Sequence, residues 1–330
     1  MQSFEYQRAD DVAGAVRAAR APSALFLAGG TTVVDLMRQE VFRPAILVDI
    51  NDLQDRHGDI EADARSLRLG ALVRMADAER HPVILRDYPV IAQSLQLAAS
   101  QQIRNMASLG GNVLQRTRCN YFRYPSWESC NKRKPGSGCA AIGGLNRKRA
   151  VLGVSDRCIA EYPGDFAQAL VALDASVEIT GPAGQRVIRF EELHRPPGDT
   201  PHIETTLHPG EMITGFTVAA GPWTRRSLYL KVRDRQSYEF AIASAAVALD
   251  LQGRMVREAR IGLGGVASKP WRAHGAEAVL RGKVLDERSA RDAAETAFAS
   301  ARTHGENDFK PELGRRTLVR ALLEAVGLEV

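Results

Sequence analysis

The chain has 330 residues, of which 45% are hydrophobic and 25% are charged, a composition typical of a globular protein with two or three hydrophobic cores. This excludes disordered and fibrous proteins, and no apolar run approaches the roughly 18 residues that a membrane span needs. The net charge of +5 favours acidic ligands only weakly, and the N-terminal residues lack the apolar stretch of a secretory signal peptide. We therefore expect any export to depend on a partner's signal, which leaves the periplasm and the cytoplasm both open.

The first half of the chain alternates predicted strands and helices. Asp10 and Asp11 are suited to cap the first helix, and a glycine pair follows the first predicted strand. The predicted elements are helix 11–20, strand 24–28, helix 31–40, strand 45–50, strand 66–72 and helix 88–100.

The second half changes from a mixed pattern to strands followed by helices. A helix over 165–175, a hairpin over 177–190 and a strand over 212–218 precede a boundary at Gly221-Pro222. Beyond it, the patterns predict strands 228–232, 240–251 and 256–266 and helices 274–281, 286–303 and 312–326. Strands followed by helices are typical of a small α+β domain, so we predict two domains, 1–222 and 223–330.

Two glycine turns are candidate phosphate-binding sites. Gly29-Gly30 precedes Thr31 and Thr32, and Gly110-Gly111 lies between Ser108 and Asn112. Glycine lets a backbone approach a diphosphate closely, and hydroxyl and amide groups add donors. The third glycine of the GxGxxG motif is missing, which counts against a Rossmann dinucleotide site. A purely structural turn between strand and helix remains the alternative for each pair.

All four cysteines lie in one stretch of 40 residues, which points to a joint role. They belong to a segment without hydrophobic periodicity, residues 116–158, called the cysteine segment below. Zinc is disfavoured because no tight CxxC pair is present, and disulfides are disfavoured without a signal peptide. The residues are Cys119, Cys130, Cys139 and Cys158.

Three stretches resemble the FAD-binding subunits of the xanthine dehydrogenase and molybdenum hydroxylase family. They are FLAGGTTVVDLM (26–37), QIRNMASLGGNVLQ (102–115) and YPGDFAQALVALDA (162–175). The resemblance spans essentially the whole chain. It implies an α+β fold, with a two-lobed FAD domain of the p-cresol methylhydroxylase (PCMH) type followed by a small flavoprotein C-terminal domain.

The cysteine segment is similar, more narrowly, to the FAD subunit of bacterial periplasmic aldehyde oxidoreductases, in RTRCNYFRYPSWESCNKRKPGSGCAA (116–141). Those subunits carry an iron-sulfur cluster beside FAD. The resemblance therefore implies that the four cysteines ligate a 4Fe-4S cluster, whose thiolate bonds would hold a segment that has no core of its own. Basic residues around the cysteines would offset the negative charge of such a cluster.

The resemblance also implies the residues that bind FAD. The diphosphate is expected on the first turn, Asp165 is expected to accept hydrogen bonds from the flavin nucleotide, Met212 and Ile213 to contact the ring, and Lys231 to place a cation near it. A helix N-cap is the alternative role for Asp165. The expected contacts on the two turns are Leu27, Ala28, Gly29, Gly30, Thr31, Thr32, Val33, Ser108, Gly111, Asn112 and Thr117.

The function implied is electron transfer within a molybdenum-dependent aldehyde oxidoreductase. Substrate would be oxidised at a molybdenum cofactor in a large subunit, electrons would pass through 2Fe-2S clusters in a small subunit, and FAD here would pass them to an external acceptor. We therefore expect a heterotrimer, no catalytic residue in this chain, no nucleic-acid partner and no membrane span. The alternatives are a stand-alone FAD-dependent reductase of the same superfamily and a zinc-stabilised nucleic-acid-binding module.

Overall fold

The computed structural model describes residues 1–329 and contains three β-sheets. The elements of the first region are β1 (Glu5–Arg8), α1 (Val12–Ala18), β2 (Ala24–Leu27), α2 (Val33–Arg38) and β3 (Ile46–Asp49). Its three strands are parallel, in the order β1-β3-β2, so β2 and β3 end at the same edge. Asp11 caps α1 by accepting a hydrogen bond from Gly14 N at 2.6 Å, as the sequence predicted.

The second sheet has five antiparallel strands in the order β4-β5-β8-β6-β7, with short helices packed against it. Its strands are β4 (Ile60–Ala62), β5 (Ser66–Gly70), β6 (Ser176–Gly181), β7 (Gly184–Arg189) and β8 (Met212–Ala219). The helices of this region are α3 (Gln54–His57), α4 (Met75–Ala78), α5 (Pro82–Asp87), α6 (Pro89–Gln96), α7 (Gln101–Met106), α8 (Leu109–Val113), α9 (Asn120–Arg123), α10 (Phe166–Ala172) and α11 (Phe190–Leu193).

The third sheet is antiparallel, in the order β12-β11-β10-β9, and three helices follow or flank it. Its elements are β9 (Ser227–Val232), β10 (Ala243–Gln252), β11 (Met255–Gly264), β12 (Trp271–Arg272), α12 (His274–Leu280), α13 (Glu287–Ala297) and α14 (Lys310–Val326). The sequence predicted three strands here; the structure adds β12, whose two residues are too short to produce a periodic signal.

The structure confirms the predicted α+β class and differs from the sequence prediction mainly at element ends. The helix predicted over 88–100 ends at Gln96, because Ala99 adopts a positive φ of 48° and Ser100 begins the next helix as its N-cap. The cysteine segment contains only one short helix, α9, as its lack of periodicity indicated. No helix among residues 1–329 is long and apolar enough to cross a membrane.

Four hydrophobic cores position the candidate site, one of which packs α1 and the parallel sheet against Leu72 and Met212. The largest lies between the five-stranded sheet and its helices, and it also includes Tyr229 and Ala246 of the third sheet. A second core fills the space between the third sheet and α12 to α14. The third is small and consists mainly of the cysteine segment together with Leu36 of α2, so it lies directly beside the first glycine turn.

Candidate cofactor site

The two glycine turns, far apart in sequence, touch each other in the structure. A Cβ atom on Gly29 would lie 1.9 Å from Met106 O and 3.1 Å from Ala107 Cα, so no other residue fits without moving the second turn. Gly30 has a φ of +73°, a conformation that residues with a Cβ rarely adopt. The first turn therefore needs glycine at both positions, once for close approach and once for backbone conformation.

The turns differ in the hydrogen-bonding capacity they leave free. Among residues 1–329, no partner is found for the backbone N–H groups of Gly30, Thr31 and Thr32. In the second turn, by contrast, Gly110 N donates to Ala71 O at 2.8 Å and Gly111 N donates to Ser108 Oγ at 3.2 Å. The first turn thus offers backbone donors to an anion, whereas the second turn packs against the first turn and has its own donors already paired.

A cavity of about 350 Å³ opens on one side of the turns. Its walls away from the turns are apolar and come from the parallel sheet and from β8. Ten of the predicted site residues line it, namely Ala28, Gly29, Gly30, Thr31, Thr32, Val33, Ser108, Gly111, Met212 and Ile213.

A second cavity, of about 290 Å³, opens on the other side and shares Thr31 and Thr32 with the first. Asn112 and Asp165 line it, and Tyr238 and Phe240 reach it from the loop between β9 and β10. The two cavities therefore meet at the first glycine turn. Together they form an extended space suited to a molecule with a bulky group at each end of a central anion.

Asp165 belongs to a buried cluster of polar groups beside the second cavity. Its carboxylate accepts hydrogen bonds from Tyr229 OH at 2.6 Å and from Lys231 Nζ at 2.8 Å. Burial and the neighbouring Asp165 carboxylate raise the pKa of Tyr229 well above its ordinary value, which keeps the phenol protonated as a donor. Asp165 occupies the N-cap position of α10, yet its side chain caps no backbone N–H there.

Lys231 is buried and its charge is neutralised locally. Its side chain is 1% exposed, and its ammonium group also donates to Leu97 O at 2.9 Å. Lys231 lines neither cavity, so an effect of this cation on a ligand in the second cavity is transmitted through Asp165. The pairing was not foreseen in the sequence, which suggested separate contacts of Asp165 and Lys231 with the ligand.

The remaining predicted site residues differ in which cavity they line. Leu27 and Thr117 line neither cavity; Thr117 Oγ1 instead accepts a hydrogen bond from Cys119 N at 3.2 Å. Met212 and Ile213 lie in the first cavity, whereas Asp165 lies in the second. The expected contacts of Met212, Ile213 and Asp165 are thus divided between two neighbouring cavities.

Several residues near the turns were missed in the sequence. Arg118 and Phe240 line the second cavity, with the Arg118 guanidinium 4.9 Å from the centre of the Phe240 ring. Asn51 and Arg74 donate hydrogen bonds to backbone carbonyls next to the turns and line neither cavity. Asn51 lies two residues after the end of β3, at the carboxyl edge of a parallel sheet, where ligands commonly bind. That position is the signal in the sequence that could have found it.

The four cysteines come together in the small third core. Cys119, Cys130 and Cys158 are buried and Cys139 is half-buried, and all four are free thiols. Cys130 and Cys139 form an isolated backbone bridge, and a hydrogen bond from Cys158 lowers the pKa of the Cys139 thiol to about 6. Burial raises the pKa of Cys119 to about 11. The cysteine segment thus places its four cysteines in one small core, in which Cys139 and Cys158 contact each other.

Buried ion pairs lie near Cys119 and Cys158. Arg149 and Glu161 are both nearly inaccessible and lie 2.7 Å apart, and Glu204 binds Lys132 at 2.5 Å and Arg116 at 2.7 Å. Arg147 and Lys148, in contrast, are partly exposed on the surface. Among residues 1–329, no group of three or more His, Cys, Asp or Glu side chains is arranged to hold a single metal ion.

Two family models match the chain. One, described as the FAD binding domain in molybdopterin dehydrogenase, matches residues 2–219, and the other, the CO dehydrogenase flavoprotein C-terminal domain, matches residues 228–325. The predicted boundary at 222 lies between the two matches and stays a prediction.

Curated relatives match over nearly the whole length. The aldehyde oxidoreductase FAD-binding subunit PaoB of Escherichia coli strain K12 is 46% identical over 327 residues, covering 98% of this chain and 99% of the relative. The carbon monoxide dehydrogenase medium chain of Afipia carboxidovorans is 28% identical, covering 97% and 94%. Among solved structures, reconstituted CO dehydrogenase from Oligotropha carboxidovorans matches with a TM-score of 0.77 at 25% identity, covering 98% of each chain.

Proposed function

The chain belongs to the family of FAD-binding subunits of molybdenum hydroxylases, and from that premise we propose that it is the electron-transfer subunit of a molybdenum-dependent aldehyde oxidoreductase. In this proposal it carries FAD and a 4Fe-4S cluster and works with a large molybdenum-cofactor subunit and a small 2Fe-2S subunit. The observation that carries it is that two cavities share the residues of one glycine turn, with all four cysteines in the small core beside that turn.

The residues at the turns fit the diphosphate of FAD. The backbone N–H groups of Gly30, Thr31 and Thr32 are without partners among the described residues. Thr31 and Thr32 line both cavities and Gly30 lines the first, so these groups are available as donors for phosphate oxygens. The absence of a side chain at Gly29 lets the second turn close against the first. Bound FAD supplies the ability to take up two electrons and release them to an acceptor.

The two ends of the nucleotide are assigned to the two cavities. The second cavity combines polar groups with Tyr238 and Phe240, so it suits the flavin ring with its hydrogen-bonding edge. Asp165 there is held by Tyr229 and Lys231 and offers its carboxylate as an acceptor. The first cavity, with Met212 and Ile213, suits the adenine end. This assignment departs from the expectation that Met212 and Ile213 contact the flavin ring.

The cysteine segment supplies the number and type of ligands that a 4Fe-4S cluster needs, and cluster binding would have to draw together thiols that are not arranged around one metal position in this structure. Cys119, Cys130, Cys139 and Cys158 supply four thiol ligands from a segment that has little other regular structure. Burial alone disfavours thiolates, as the raised pKa of Cys119 indicates, and ligation to metal reverses that preference. Arg149 and Lys132, held in buried ion pairs, place positive charge near the thiolates.

The partners and substrate follow from the relatives. The relatives are named as subunits of an aldehyde oxidoreductase and of carbon monoxide dehydrogenase, and the 46% identity to the first favours an aldehyde as the substrate of the assembled enzyme. The chain would bind neither the aldehyde nor nucleic acid. Its own residues would hold the two redox groups close together and shield them from water, and an external acceptor would take the electrons.

An absorption spectrum with metal and sulfide analysis of the purified full-length chain tests this proposal. We expect flavin bands with a broad iron-sulfur shoulder, and iron and acid-labile sulfide in equal amounts. Flavin without iron would favour a stand-alone reductase, and zinc without sulfide or flavin would favour a zinc-stabilised binding module. Either of those two results would contradict the proposal.

A further inference from the structure

The side chains of Asn51 and Arg74 connect the backbones of the two glycine turns. Asn51 Nδ2 donates to Ala28 O, at the start of the first turn, at 3.1 Å. Arg74 Nη1 donates to Met106 O, immediately before the second turn, at 2.5 Å. The two side chains are joined because Arg74 Nη2 donates to Asn51 Oδ1 at 3.0 Å.

Each member of this bridge is itself oriented by its own surroundings. Asp49 Oδ1 accepts hydrogen bonds from Asn51 N at 2.9 Å and from Asn51 Nδ2 at 2.7 Å, which fixes the amide with its oxygen toward Arg74. Arg74 precedes α4, and its backbone forms an isolated bridge with Ser108 of the second turn. The Arg74 backbone thus pairs with the second turn, and its guanidinium contacts Asn51 at the end of the parallel sheet.

The bridge acts at the point where spacing matters most. Met106 O, which Arg74 holds, is also the atom that lies closest to the missing Cβ of Gly29. The first turn carries the free backbone donors, whereas the second turn's N–H groups are already used. A displacement of one turn relative to the other would therefore move the backbone donors of the first turn away from the second turn.

We propose that Arg74 and Asn51 are positioning residues that set the spacing of the two glycine turns and thereby the affinity for FAD. Neither residue lines either cavity, so both act through the turns and not by contact with the nucleotide. The guanidinium fork is essential here because it donates to Met106 O and to Asn51 Oδ1 at once, and a lysine ammonium lacks that fixed geometry. The inference rests on the proposed location of the FAD diphosphate.

The test compares FAD release and FAD affinity in Arg74→Ala, Arg74→Lys, Asn51→Ala and the double variant Arg74→Ala/Asn51→Ala, using the full-length chain. We expect roughly tenfold faster FAD dissociation in each single variant, including Arg74→Lys, because each change breaks the hydrogen-bonded connection between the turns. The double variant is expected to lose little more than the worse single variant, because both residues serve one bridge. The absorption maximum of the flavin that remains bound should be unchanged, since neither residue touches it.

The controls separate this inference from general destabilisation and from the proposed FAD site. Arg86→Ala removes an exposed arginine on the neighbouring helix α5 and should leave FAD release unchanged. Unfolding temperatures measured after flavin removal should differ little among the variants; an unfolding temperature that falls in step with affinity, or additive losses in the double variant, would overturn the inference. If Arg74→Ala released FAD at the wild-type rate while Gly30→Val lost FAD, the positioning role of Arg74 would be overturned and the proposed FAD site would stand. Retention of FAD by Gly30→Val would instead refute the location of the diphosphate.

Discussion

The turn region, residues 24–38 and 106–113, and the cysteine segment lie side by side but are held together by different forces. The second turn belongs to the largest apolar core, the first turn projects from the parallel sheet with its own smaller core, and both turns line open cavities. The cysteine segment has one four-residue helix and a small core in which the thiols themselves are central members. Under the proposed function, the first region would fold before FAD binds, whereas the cysteine segment would depend on the cluster for its order.

Removing one cluster ligand is the largest perturbation that this comparison predicts. Cys158→Ala should lose most of the iron and the acid-labile sulfide together, because three thiolates and a buried methyl group do not complete the site. Hydrogen exchange should become fast across the cysteine segment and stay slow in β10 and β11. The matched control is Ser129→Ala, an exposed position in the same segment. Full iron content in Cys158→Ala would contradict the assignment.

Blocking the first glycine turn should remove FAD without unfolding the chain. In Gly30→Val the side chain meets Val34 Cγ2 at about 3.3 Å and the residue sits at a φ of +73°. We expect FAD affinity to fall roughly tenfold or more, or at least about 1.4 kcal/mol. Gly253→Val provides the control, since Gly253 has a φ of +61° with open space around it, so it shares the backbone strain far from the cavities. Equal FAD occupancy in both variants would show that only strain matters.

The buried pair of Lys231 and Asp165 predicts a loss of stability. Their side chains are 1% and 4% exposed, so Lys231→Met leaves a buried carboxylate with only Tyr229 as a partner. Unfolding by urea should show a loss of about 3–5 kcal/mol, the usual cost of breaking a buried pair. The double variant Lys231→Met/Asp165→Asn should recover part of this loss. Equal destabilisation in the single and double variants would argue against a paired charge.

Much of this architecture follows from local sequence, and the rest depends on long-range side-chain contacts. Asp11, the glycine pairs and the apolar runs of β9 to β11 specify their elements through neighbours a few residues away. The pairing of Lys231 with Asp165 joins positions 66 residues apart, and no pattern in the residues next to either one predicts it. The Asn51 and Arg74 bridge was missed for the same reason, because each residue alone is typical of an exposed loop.

A smaller effect is expected on the pH dependence of stability. Burial lowers the pKa of His194 to about 4, and its Nε2 donates to Val113 O, so the folded chain holds a neutral imidazole. The unfolded chain takes up a proton below about pH 6.5, so stability should decline between pH 6.5 and 4 by up to about 3 kcal/mol from this group. His194→Gln should flatten the decline, whereas His208→Gln, at an exposed position, should not. An unchanged slope in His194→Gln would refute the prediction.

The most direct test of the electron-transfer account follows flavin reduction by an aromatic aldehyde in the isolated chain and in the complex reassembled with a molybdenum-cofactor subunit and a 2Fe-2S subunit. Under exclusion of oxygen, we expect no bleaching of the flavin in the isolated chain and full bleaching in the complex, with the electrons recovered by an added dye acceptor. Rapid aldehyde-dependent bleaching of the flavin in the isolated chain would contradict the account, because the substrate chemistry would then reside in this chain.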